Sequence, residues 1–200
     1  MIETVDLNTN LLYSKNLNKF HRSFHNIDVL GFYVDKSGLI KNIEGCAIFR
    51  TDCNTQGKPL SLQDKIKNPF LVSSIYRGSI SDNFYNADIL TIKSFNNIKS
   101  FLKKYSGQNI GIEFLISDIK YLDNTSIGKR IFDMKWIYEL CKRYKFQFIL
   151  SSGANTYIEL ISLKVFNIVL EKIDIDVKEY WCDLISWLDN KKITLYYDAE

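Results

Sequence analysis

The stretch from Asn109 to Ala154 reads NIGIEFLIS at 109–117, then a polar helical insert that carries Lys129 and Arg130, then FQFILSSGA at 146–154. Two short apolar runs of strand character joined by a helical crossover make one βαβ unit, the repeating element of α/β folds. The second run stops abruptly at Ser151-Ser152-Gly153-Ala154. A small-residue turn of this kind leaves backbone N–H groups able to meet an anion where the next helix begins.

The same alternation extends over the rest of the chain. Strand-like runs occur at Glu3–Leu7, Ile27–Val34, Cys46–Arg50, Phe70–Tyr76, Asp88–Ile92, Ile110–Ile116 and Gln147–Leu150. Several are nearly continuous apolar runs, as expected of parallel strands covered on both faces; a sheet with one wet face would alternate. Helical spacing fills the gaps. In Phe95–Tyr105, residues Ile98, Phe101, Leu102 and Tyr105 fall at i, i+3, i+4 and i+7, with Lys99, Lys103 and Lys104 on the other side. In Ile131–Tyr144 the apolar stripe is Ile131, Met134, Ile137, Leu140, Cys141 and Tyr144, with Glu139 and Arg143 spaced as an i,i+4 pair. Further helices are expected at about Glu159–Glu171 and Val177–Leu188. An eighth strand is the weak point, because Lys172–Val177 is short and acid-laced and Ile193–Tyr197 comes only after another helix. The pattern predicts an α/β parallel barrel with about seven clear strands, extra helices and an imperfect eighth unit, in a single domain over residues 1–200.

With 200 residues the chain can bury a sizeable core and reaches the lower edge of what an eight-fold barrel needs, about 200 residues. Only 2 prolines and no Gly/Ser-rich tract or internal repeat interrupt it, which argues against linkers and disordered tails. MIETVDLN has acids where a signal peptide carries cations, and no apolar run nears the ~20 residues of a membrane span. A cytoplasmic protein without a membrane partner is expected. The net charge of +3 is regional: Lys93 to Lys145 hold 11 Lys/Arg against 5 Asp/Glu, whereas residues 159–200 hold 5 against 9. Such asymmetry points to a polyanion-facing side.

Catalytic chemistry is poorly provided for. Cys46, Cys53, Cys141 and Cys182 form no Cys-x-x-Cys pair and read as buried free thiols. His21 and His25 stand i,i+4 on the first predicted helix, but Arg22-Ser23-Phe24 intervene where a metalloprotease helix carries Glu after its first His. No metal site and no catalytic residue are assigned. Ser151, Ser152 and Cys53 lack a nearby base, and no nucleophile elbow or phosphate-binding glycine loop is present. Among carboxylates near strand ends, Asp6 and Asp52 read as turn caps and Asp118 as a helix N-cap. Glu113 lies within a strand, where a lone charge is costly, and reads as the partner of a buried lysine or arginine rather than a general base.

Cations at strand ends are the better lead. Arg50 and Arg77 close the third and fourth runs, Lys93 follows the fifth, and Lys129 and Arg130 sit in the insert after the sixth. In a barrel these positions share one rim. With Ser151 and Ser152 they make a phosphate-binding face, arginine being suited by its planar fork. Taken singly, each cation reads equally well as an ordinary surface residue; as a set they read as RNA contacts.

The order VDLN, IDVLGFYV, FLVSSIYRG, NADILTI, IGIEF, Gly128-Lys129-Arg130 and ILSSGA resembles the archaeal ribonuclease P protein component 3 family over roughly the first 170 residues. The resemblance implies a TIM-barrel-like fold and a subunit that is not itself catalytic. It supports the catalytic RNA of ribonuclease P, the ribonucleoprotein endonuclease that removes the 5′ leader from precursor tRNA. It further implies no cofactor on this chain, Mg²⁺ at the RNA subunit, and as partners the catalytic RNA, component 2, the other protein components and, indirectly, precursor tRNA. One departure is visible. After the Ser-Ser-Gly-Ala turn the family carries an Arg-Ser-Pro-like step, and here Ile161-Ser162-Leu163 stands in its place with Lys164 the nearest cation. Two alternatives remain open at this point, a free-standing metal-dependent phosphoesterase on the same fold and a barrel that binds a small phosphorylated metabolite.

Overall fold

The structure, a computed structural model, describes residues 3–9, 11, 15–33, 47–52, 70–78 and 87–191. Seven strands lie side by side in chain order, each parallel to the next: β1 Val5–Thr9, β2 Val29–Tyr33, β3 Ala47–Asp52, β4 Leu71–Tyr76, β5 Ile89–Ile92, β6 Gly111–Leu115 and β7 Gln147–Ser151. All seven match sequence-read strands. Helices α1 Lys15–His25, α2 Ile98–Lys104, α3 Asn124–Tyr144, α4 Leu163–Lys172 and α5 Val177–Asn190 accompany them. The result is a TIM-barrel-like α/β fold.

The sheet curls until its last strand reaches its first. A parallel bridge joins Thr9 to Ala154, and the Gly153 N–H donates to the Asn8 carbonyl at 2.9 Å. Lower in the seam, the Leu150 N–H finds the Tyr180 hydroxyl at 2.8 Å, so a side chain of α5 takes a backbone donor that another strand would otherwise accept. A buried N–H left bare is costly. Tyr180, Trp181, Leu184, Trp187 and Leu188 are all buried, and Lys191 past the helix end reaches Asp88 beside β5 at 3.0 Å. The α5 stripe therefore closes the place where an eighth unit is missing. Gly111 faces the interior on the side of Glu113, and an added Cβ there would press on Ile149 and the Trp187 ring. The segment 192–200, with the candidate strand Ile193–Tyr197, lies outside the described residues.

In α2 and at its C-cap the four spaced apolar residues Ile98, Phe101, Leu102 and Tyr105 are buried as read. Two helix starts differ from the reading. Helix α3 begins at Asn124 rather than 131, because Asp123 caps it by accepting from the N–H groups of Thr125 and Ser126, both at 3.0 Å. Its first turns are polar and hide from an apolar periodicity. Helix α4 begins at Leu163 rather than Glu159, because Thr156 and Glu159 close a capping box around a short 3₁₀ turn, Tyr157–Glu159, after which the chain extends at Leu160. Among the described residues no helix is long and apolar enough to cross a membrane.

Candidate functional site

The barrel interior is organised around Glu113 of β6. Alternation points it inward, and four other strands send donors to it. Arg50 of β3 grips both oxygens, at 2.8 and 3.1 Å. Asn8 of β1 donates at 3.0 Å, Thr91 of β5 at 2.6 Å and Ser151 of β7 at 2.8 Å. Burial alone would push the Glu113 carboxyl up, but the Arg50 charge and the donors of Arg50, Thr91 and Ser151 hold it below the ordinary range. The guanidinium also donates to the Leu7 carbonyl at 3.2 Å. The pair is charged, desolvated and saturated with hydrogen bonds, which suits a structural bolt between strands.

Asp6 of β1 sits at the top of the seam. Its Oδ1 accepts from the N–H groups of Ser152 at 3.0 Å and Asn8 at 3.3 Å, while buried Oδ2 has no partner. Burial pushes this carboxyl up to about 6, Glu113 adding to the rise and the Ser152 and Asn8 contacts opposing it. The bond to Ser152 joins residues at the two ends of the strand order. Asp6 lies within β1 rather than at its end, so it caps no turn and acts instead as a clasp for the barrel.

Three sequence-read contacts are therefore corrected. Arg50 is not on the rim: β3 continues through Thr51 and Asp52, so Arg50 lies within the strand and points inward, 3 % exposed. Ser151 is turned inside onto Glu113. Ser152 is buried, and the turn it begins has no spare donors, because the Ser152 N–H meets Asp6, the Gly153 N–H meets Asn8 and the Ala154 N–H meets the Ser152 hydroxyl at 3.2 Å. Gly153 supplies the positive φ of 66° that this inward turn requires. The turn closes the barrel and offers no backbone cradle to an anion.

The remaining cations stay at the C-terminal end of the strands. Arg77 is exposed just after β4, and its neighbour Gly78 accepts from Asn97 Nδ2 in the next loop at 3.2 Å. Lys93 after β5 contacts both oxygens of Asp118, at 2.6 and 2.7 Å. Arg130 on α3 lies 3.7 Å from the same carboxylate and 4.6 Å from the centre of the Phe95 ring. Lys129 and Lys164 are exposed near the starts of α3 and α4. Sequence reading missed Asp118 and Phe95 as neighbours of these cations. Asp118 ends a 3₁₀ turn, Ile116–Asp118, and the cap of α3 is Asp123. The side chain of Asp52 lies outside the described residues, as do Cys46 and Cys53.

His21 is buried inside α1 with neither ring nitrogen hydrogen-bonded, and its ring centre lies 4.7 Å from that of His25. Burial, with His25 adding, pushes it down to about 4. It is a core residue. Among the described residues no three of His, Cys, Asp and Glu gather closely enough to hold a metal ion.

The chain's fold is similar to that of a chain in the cryo-EM structure of archaeal ribonuclease P with mature tRNA, with a TM-score of 0.63 and 11% identity over 94% of this chain and 89% of that one. No protein-family model and no curated protein matches the sequence.

Proposed function

We propose that this protein is a subunit of an archaeal-type ribonuclease P, in the component 3 family, and that it binds RNA through the rim at the C-terminal ends of its strands. The observation that carries the reading is the agreement of two independent likenesses. The ordered motifs from VDLN to ILSSGA resemble that family, and the barrel matches a chain of an archaeal ribonuclease P particle over nearly its whole length. The rim residues proposed to face RNA are Arg77, Lys93, Lys129, Arg130 and Lys164; Arg50, Ser151 and Ser152 support the barrel from inside. Phosphates crowded around a folded RNA repel one another, and a rim of Lys and Arg lowers that cost while releasing counterions. Recognition is shape-led, since packed RNA helices offer few base edges. The chain itself contributes no catalytic group, the Mg²⁺ of the reaction resides on the RNA, the protein partners are component 2 and the other subunits, and the particle is cytoplasmic.

Reconstitution of precursor-tRNA cleavage from the catalytic RNA and the other protein components, with and without this chain, tests the reading. Addition of the chain is expected to raise cleavage. The Lys129→Ala/Arg130→Ala double variant is expected to lose that support and to make the salt dependence of assembly shallower by about 0.7–0.9 for each phosphate left without its cation. A matched pair on the acidic side, Lys172→Ala/Lys178→Ala, is expected to keep it. Equal losses from both pairs would remove the case for the rim, and cleavage of precursor tRNA by the purified chain alone with Mg²⁺ would replace the reading with a metallohydrolase.

A further inference from the structure

The rim cations already hold a carboxylate. Lys93 Nζ lies 2.6 and 2.7 Å from the two oxygens of Asp118, and Arg130 approaches the second oxygen at 3.7 Å while resting over the Phe95 ring at 4.6 Å. The backbone fixes Asp118 there. Its turn is tied to the turn after β7 by the Ser117 N–H donating to the Ser152 carbonyl at 3.0 Å, and closed by the Ile119 N–H on the Ile116 carbonyl at 2.9 Å. A carboxylate with a lysine across both oxygens and an arginine at one side presents what a phosphodiester presents: two acceptor oxygens and one negative charge.

We propose that Asp118 is an internal stand-in for a backbone phosphate, occupying an anion site made by Lys93 and Arg130 that an RNA phosphodiester takes over on binding. The inference rests on the RNA-binding reading above. Held on the same chain, the carboxylate competes at high effective concentration. A lone phosphate cannot match that advantage; an RNA that places several phosphates along the rim at once can. Asp118 thereby sets a threshold, lowering affinity for isolated or loosely presented phosphates and favouring a folded RNA whose backbone is rigidly spaced. The ion pairs that must open are partly exposed, so the exchange is inexpensive.

The test is Asp118→Asn, which keeps the side chain's shape and removes its charge. Binding is measured on the full chain together with the other protein components, against three probes: the catalytic RNA of an archaeal ribonuclease P, a 20-residue oligouridylate, and inorganic phosphate. The expected result is tighter binding of both RNAs by several-fold, a larger gain for the oligouridylate, and a salt slope steeper by about 0.7–0.9 for each cation freed. Wild type is expected to ignore inorganic phosphate. Asp133→Asn, which removes one acid on α3 rather than in the Asp118 turn, controls for net charge and should leave affinity nearly unchanged, and in a Lys93→Ala background the Asp118→Asn gain should shrink. Unchanged or weaker RNA binding by a folded Asp118→Asn variant, with wild type binding normally, would overturn the inference and leave the RNA reading standing. An equal gain from Asp133→Asn would do the same. Failure of the wild-type chain to bind either RNA would overturn both.

Discussion

Glu113 with Arg50 and Asp118 with Lys93 are carboxylates gripped by cations at 2.8 and 2.6 Å in one barrel. The first pair is inside, 0 and 3 % exposed, with donors arriving from β1, β3, β5 and β7. The second is on the rim, its lysine side chain 38 % exposed and its aspartate 22 %. Water decides what each can do. Inside, no solvent can replace a missing partner, so the pair is a fixed joint; on the rim, solvent and external anions compete with the carboxylate, so the pair can open. Similar contacts serve stability in one place and exchange in the other.

The largest effect should come from splitting the inner pair. Glu113→Ala leaves a guanidinium buried without its anion and is expected to cost about 3–5 kcal/mol, read as a lowered urea midpoint or loss of folding. Replacing both partners with apolar residues, as in Arg50→Met/Glu113→Leu, is expected to cost less than either single truncation. Additive losses would mean that Arg50 is held by its other contacts.

Next come two buried groups that titrate in opposite senses. Asp6, pushed up to about 6 from 3.8, makes the folded state bind more protons than the unfolded chain between those values, so its contribution falls as pH rises through them. His21, pushed down to about 4 from 6.5, makes the folded state bind fewer, so its contribution rises with pH across that window. Each effect is about 3 kcal/mol at most, and in the wild type they offset. Stability between pH 4 and 6.5 should therefore rise steeply with pH in Asp6→Asn and fall with pH in His21→Phe. Parallel pH profiles for the two variants would show that neither group titrates in this way.

A smaller loss, about 1–3 kcal/mol, is expected for Tyr180→Phe, which strips the Leu150 N–H of its acceptor in the seam. Smallest in stability is Lys93→Ala on the rim, within about 0–1 kcal/mol by thermal melt, although it should weaken assembly with the catalytic RNA. A large drop in melting temperature there would make the rim pair a structural joint like the inner one.

The strands are legible because nearly continuous apolar runs such as Ile89–Ile92, broken only by Thr91, leave few other readings, and the α2 stripe because its four spaced residues all meet the core. What the sequence concealed was pairing at a distance. Glu113 stands out as a charge within a strand, yet its partner lies 63 residues away, and nothing local tells an arginine at a strand's end from one two residues before it. Arg50 reads as a rim residue for that reason, whereas β3 continues to Asp52 and holds it inside. The Ser151–Ala154 turn hides its pairing in the same way, the donors of Ser152 and Gly153 being claimed by Asp6 and Asn8, 144–146 positions earlier in the chain. Asp118 resembles any acid at a helix start until Lys93 and Arg130 are seen beside it.

The seam between β1 and β7 also bears on the order of events during synthesis. Each of the first six strand pairings joins neighbours in the chain and can form as the polypeptide emerges, but the edge of β1 waits for Ser152 and the gap beneath it for Tyr180. Until then the nascent barrel is an open, curved sheet with two bare edges, the form most exposed to pairing with another copy. Closure of such distant contacts is slow. A refolding experiment should therefore resolve a late phase in which Trp187 becomes buried, and that phase should lengthen when the clasp at Asp6 is removed.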